Sequence, residues 1–92
     1  MARVKIKLFG ELVRMVGEKT VYVNASTLKE VINEIITKYG DEVRSRLLDE
    51  NGNLRRFINI YINGKDSRFI GFLETKLNDN DEILIIPAIG GG

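Results

Sequence analysis

Apolar and polar residues alternate strictly along the opening stretch ARVKIKLF, with Val4, Ile6 and Leu8 on one face and Arg3, Lys5 and Lys7 on the other. An alternation of this kind predicts a strand with one side buried. Gly10 ends it, and GELVRMVGE reads as a short turn or helical piece closed by Gly17. KTVYVN then supplies a second strand, near enough to the first to pair with it as a hairpin with a longer loop.

The spacing changes at Thr27. Leu28, Val31, Ile32, Ile35, Ile36 and Tyr39 recur at helical intervals and line one stripe, while Lys29, Asn33, Glu34 and Lys38 fall largely outside it. Thr27 with Glu30 three residues later matches a capping box, and Gly40 is placed to close the other end. A long amphipathic helix is therefore expected from Leu28 to Tyr39. DEVRSRLLDENGNLRRF is polar with Val43, Leu47 and Leu48 at helical spacing, which predicts a short second helix and a turn at Asn51-Gly52. FINIYING alternates again, Ile58, Ile60 and Ile62 against Phe57, Asn59 and Tyr61, and Asn63-Gly64 is a turn signal. SRFIGFLETKL reads as an irregular stretch with one helical turn. After the polar turn NDNDE, EILIIP is the last strand, stopped by Pro87.

Strands flanking one long amphipathic helix predict an α+β fold: a mixed sheet of four to five strands with the helix across one face. The first and last strands carry the strongest core patterns and are expected as central neighbours. Residues 1–87 form one domain in this reading, and 88–92 a flexible tail.

Composition narrows the chemistry. The 92 residues are 43% apolar and 29% charged, a balance for one globular core, and the net charge of +1 gives no field to attract nucleic acid or an anionic membrane. Cysteine and histidine are both absent. Thiolate and Ser-His nucleophiles, disulfides and the usual zinc ligands are thereby excluded. No apolar run approaches the roughly 20 residues of a membrane span, and the cytoplasm is the expected location.

Of the side-chain clusters, Asp79, Asp81 and Glu82 lack the ligand ladder of a calcium loop and read as a solvated turn. Arg44, Arg46, Arg55, Arg56 and Arg68 are balanced by neighbouring acids and read as a solvated surface. The unbroken run Ile83, Leu84, Ile85, Ile86 must turn one pair away from a single core. With Tyr61, Phe69 and Phe72 it forms either a partner-binding patch or a face covered by the irregular segment. The end of the chain, IIPAIGGG, offers a carboxylate with no adjacent side chain, fit to enter a narrow channel of another protein and be activated there. A glycine run of this kind also suits an inert frayed end.

Together these stretches resemble the ubiquitin-like β-grasp sulfur carriers, most closely the small subunit of molybdopterin synthase (MoaD-like). VKIKLFGELVRMVGEKTVYV, STLKEVINEI and INIYING carry the likeness in turn, and LNDNDEILIIPAIGGG carries it most specifically. The resemblance implies a carrier that is not catalytic alone and counts as the small subunit of a synthase complex. It binds no cofactor or metal, and ATP is used by its activating enzyme. Gly92 would bear the adenylate and then the thiocarboxylate, with Gly90 and Gly91 lying in the partner's channel. Phe9, Phe69, Leu84, Ile86 and Pro87 would contact partners. Those partners would be a ubiquitin-activating-type adenylyltransferase (MoeB-like) and the large synthase subunit (MoaE-like). Two departures stand out: Pro87-Ala88 replaces a frequent Pro-Pro, and GDEVRSRLLDENGNLRR lengthens the chain relative to thiamine-pathway carriers (ThiS-like). Archaeal ubiquitin-like modifiers share the pattern, so attachment through Gly92 to lysines of target proteins, or sulfur supply to thiamine or tRNA thiolation, stand as alternatives.

Overall fold

The computed structural model describes residues 1–88. Strand β1 (Ala2–Leu8) leads through a short helix α1 (Glu11–Val16) to β2 (Thr20–Ala25). The long helix α2 (Leu28–Tyr39) and the short α3 (Asp41–Leu47) follow. Strands β3 (Ile58–Ile62) and β4 (Lys65–Asp66), two 3-10 turns at Ser67–Phe69 and Phe72–Glu74, and β5 (Glu82–Pro87) complete the order.

The five strands form one mixed sheet in the order β2-β1-β5-β3-β4. β1 and β2 pair antiparallel with Val4 opposite Val23, as a hairpin from two alternating runs requires. β1 and β5 are central neighbours, and they run parallel, with Ile6 opposite Ile83 and Leu8 opposite Ile85. Parallel neighbours need a crossover, and here the whole intervening chain provides it. β5 then pairs antiparallel with β3. This is the expected α+β, ubiquitin-like β-grasp arrangement.

The alternation decides which side of the sheet is buried. Val4, Ile6, Ile83 and Ile85 are all fully inaccessible, and Val31 and Ile35 of α2 pack into the same core. At the head of α2, Thr27 Oγ1 accepts a hydrogen bond from the Glu30 N–H at 3.3 Å. A cap of this kind contributes about 1 kcal/mol. The Glu30 carboxylate reaches back to the N–H of Ser26, at 2.9 Å, rather than to that of Thr27. Gly40 closes the helix with φ 92°, a left-handed value that favours glycine, and its N–H donates to Ile36.

The short elements are held from outside themselves. α1 and α3 bury Leu12, Val43 and Leu47 and are joined by Arg46 and Glu11 at 3.2 Å. The turn at Asn51-Gly52 is shaped by Asp49, whose Oδ1 accepts from the N–H groups of Asn51 and Asn53. Asn63 and Gly64 both take positive φ, 50° and 84°, so the β3–β4 turn has the twist of a tight hairpin. The stretch read as irregular thus begins just after a two-residue strand and contains two 3-10 turns. Ala88 extends the pairing of β5 with the chain before β3 by one bond: its N–H donates to the Phe57 carbonyl at 2.7 Å. The rest of the expected tail lies outside the described residues.

Candidate functional site

The side of the sheet turned away from α2 carries what the alternation leaves over. On β5 these are Leu84 and Ile86, both half-buried. The register sets Leu84 between Lys7 of β1 and Tyr61 of β3, and Ile86 beside Asn59. Phe9 follows Leu8, whose partner is Ile85, so it lies at the same end of the sheet as Ile86 and is 39% exposed. Beside it is a groove of about 460 Å³ bounded by Lys7, Gly10, Val13 and Lys19.

The irregular segment does not cover this face. Its first 3-10 turn packs along β3 and its second against α2. The Thr75 carbonyl accepts from Leu28 N–H, and the Leu77 N–H donates to Ser26. Of the two readings of the apolar run, the covered face is therefore set aside, and an open apolar strip flanked by lysines remains. Phe69 is 85% exposed but belongs to the first 3-10 turn, across β3 from the strip. Pro87 turns to the opposite side and is buried. A Cβ built at Gly10, where φ is 61°, would sit 3.5 Å from Pro87 Cγ, so the loop after β1 passes close to the last residue of β5.

Charge at the margins of the face is paired. Lys7 Nζ lies 3.3 Å from Glu82, and the Arg68 guanidinium meets Asp66 at 2.6 Å while also donating to Asn59 at 3.3 Å. The Arg68 side-chain hydrogen bond, helped by its backbone N–H, holds the Asp66 carboxyl below its ordinary value. The polar turn before β5 is explained structurally. Asp79 accepts from the Arg3 N–H, and Asp81 accepts from the Asn63 side-chain amide and the Asn78 N–H. Its carboxylates tie the ends of β1 and β3 to the start of β5. Among the described residues no three His, Cys, Asp or Glu side chains are grouped to hold a metal ion. No helix among them is long and apolar enough to cross a membrane.

The structure thus brings Phe9, Leu84 and Ile86 to one end of an open face, with Phe69 apart and Pro87 beneath. Gly90, Gly91 and Gly92 lie outside the described residues. Lys7 and Asn59 are neighbours of the apolar strip that the sequence reading did not single out. Only the strand register brings them there, and a single sequence carries no direct signal of register.

Residues 6–92 match the ThiS family. Over 78 residues the chain is 41% identical to the sulfur carrier protein CysO of Mycobacterium tuberculosis, covering 83% of each. The solution structure of the small archaeal modifier protein 1 (SAMP1) from Methanosarcina acetivorans superposes with a TM-score of 0.88 at 35% identity, over 100% of this chain and 98% of that one. A crystal structure of the Amycolatopsis orientalis BexX/CysO complex superposes with a TM-score of 0.84 at 36% identity, over 97% of this chain and 99% of that one. The chain belongs to the ThiS family of ubiquitin-like sulfur carriers.

Proposed function

We propose that the protein carries sulfur as a thiocarboxylate on Gly92. A ubiquitin-activating-type adenylyltransferase of the MoeB kind first joins the Gly92 carboxylate to AMP from ATP, releasing pyrophosphate. Hydrosulfide, already at the sulfide level, attacks the acyl carbon, the bond from that carbon to the AMP oxygen breaks, AMP departs, and the thioacid loses its proton to solvent to leave the thiocarboxylate. The carrier supplies only the main-chain carboxylate and a surface to hold partners. The absence of cysteine and histidine from the chain suits this division of labour.

The observation that best supports the reading is the setting of β5. This central strand leads straight to the glycine-rich end of the chain, and it exposes Leu84 and Ile86 beside Phe9 on the way. An apolar strip with a charged margin is suited to docking another protein. In this reading Phe9, Leu84 and Ile86 seat the activating enzyme and later the acceptor, Phe69 extends that contact, and Pro87 anchors the base of the tail. Gly90 and Gly91 present no side chain to obstruct a narrow channel.

For the acceptor we take the large subunit of molybdopterin synthase (MoaE-like), on the strength of the sequence resemblance; the likeness to CysO raises a competing acceptor of the kind CysO serves. Incubation with the adenylyltransferase, ATP and a sulfur donor should give the mass gain of one oxygen-to-sulfur exchange at the C-terminus, read by intact mass spectrometry. No gain would refute the carrier reading. The charged protein should then lose its sulfur to the large synthase subunit and its bound precursor. Retention there would reject that acceptor and leave the carrier role intact.

The full-length similarity to a small archaeal modifier protein favours a second reading, isopeptide attachment of Gly92 to lysines. Conjugates recovered from cells expressing a tagged version, and lost on deleting Gly91 and Gly92, would establish it.

A further inference from the structure

Away from the open face, one other place combines a cavity with unmet polarity. A cavity of about 310 Å³ lies at the edge of β3, walled by Ile58, Ile60, Ser67 and Phe72, with Arg55, Arg56 and Arg68 at its margin. β4 pairs only with Tyr61 and Ile62. Among the described residues, the stretch from Ile58 to Ile60 therefore has β5 on one side and, in place of a strand, the 3-10 turn Ser67–Phe69 on the other.

The polar content of the cavity is more specific. Ser67 is 1% exposed, and its Oγ has no hydrogen-bond partner among the described residues. A buried hydroxyl in that state has lost its hydration with no protein bond in exchange, so a ligand that supplies the missing bond gains by it. Phe72, which also lines the cavity, adopts φ 51° immediately after Gly71 at φ 119°. A bulky aromatic residue is strained there, and such strain concentrates at ligand-binding segments.

The charges also differ in availability. Arg68 is engaged by Asp66, and Arg55 Nε donates to the Ser45 carbonyl at 2.8 Å. Arg56 is exposed and makes no ion pair among the described residues. The margin thus carries positive charge, and among the described residues the Arg56 guanidinium has no acidic partner.

We propose that this cavity docks an extended segment of a partner protein in which apolar residues are flanked by acidic ones. The segment lies across the mouth of the cavity and inserts an apolar side chain between Ile58, Ile60 and Phe72. It offers a polar main-chain group to Ser67 Oγ and sets a carboxylate against Arg56. The site uses neither Gly92 nor the strip of Leu84 and Ile86, so it is independent of the sulfur-carrier reading.

The test is a titration of the ¹⁵N-labelled full chain with a capped peptide, Glu-Asp-Leu-Ile-Val-Asp-Glu, followed by amide chemical shifts. Saturable shifts centred on Ile58, Ile60, Ser67 and Phe72 are expected. Arg56→Glu, at an exposed position, should weaken binding about tenfold or more by inverting a rim charge. Ser67→Ala should weaken it at least about threefold, because the hydroxyl finds its partner only in the complex. Deleting Gly91 and Gly92 should change nothing. The proposal is overturned if no shift saturates, if a peptide with lysines in place of the acids binds as well, or if the shifts centre on Leu84 and Ile86. Unchanged affinity in either substituted protein would overturn it too.

Discussion

Asp66 and Arg68 show what a pair of residues adds that their separate identities do not reveal. In the sequence Arg68 is one of several scattered arginines. In the structure Asp66 Oδ1 accepts from the Arg68 N–H, and the two side chains form a forked pair with contacts of 3.1 and 2.6 Å. The Arg68 hydrogen bonds lower the Asp66 pKa from its ordinary 3.8. Because the folded value lies below the unfolded one, the pair's contribution is fully present above about pH 4 and fades as pH falls through the folded value. Asp66→Asn keeps an oxygen for the Arg68 N–H but removes the charge. It should lower the melting temperature slightly at pH 7, since the pair faces solvent, and less so in high salt. The gap from the parent protein should close as the pH is lowered through the folded pKa. Thermal melts across that range check the prediction, and a gap independent of pH would show that the charge contributes nothing.

Among the elements, legibility followed length and regularity. α2 could be read residue by residue because its stripe, its threonine cap and its terminal glycine all lie within the helix or beside it. The central pairing of β1 with β5 was readable because both runs carry the strongest core patterns, and every second residue of each is buried. The segment from Lys65 to Leu77 was not, because its geometry depends on distant partners. Thr27 bridges to Lys76, and the backbone bonds at Thr75 and Leu77 go to the head of α2. Likewise the apolar run of β5 indicated that one pair must face outward, but not whether another segment covered it. That distinction yields a prediction about neighbouring positions on one strand. Ile83 is fully buried, and Ile83→Ala should cost about 3–4 kcal/mol by cavity formation. Ile86 lies on the open side, and Ile86→Asp should cost about 1 kcal/mol while reducing adenylation about tenfold or more, as loss of a docking contact would. Denaturant titration and an adenylation assay separate the two effects. Equal destabilisation would mean that the outward face is packed. Unimpaired adenylation of a folded Ile86→Asp protein would remove the strip from the docking surface.

At the scale of the whole molecule, stability and function are expected to occupy different parts of the chain. Among the described residues, the buried apolar side chains of the core fall between Ala2 and Ile85, on the sheet, on the helices packed against it and at Leu77. The proposed chemistry, by contrast, needs only the carboxylate of Gly92 and a surface that holds partners. The same appended segment should therefore have opposite consequences at the two ends of the chain. Met1 is 88% exposed, and β1 is held by its pairing and by the bond from the Arg3 N–H to Asp79. A flexible Gly/Ser extension of about ten residues placed before Met1 should leave both the melting temperature and sulfur charging unchanged. The same extension placed after Gly92 should leave the melting temperature unchanged and abolish charging, because the carboxylate is then an amide. Cutting that extension away immediately after Gly92 should restore the oxygen-to-sulfur mass gain. This recovery rules out misfolding as the cause of the loss, since the protein that fails and the protein that succeeds share every residue of the domain. Charging of the extended protein without cleavage would instead show that the sulfur is carried somewhere other than Gly92.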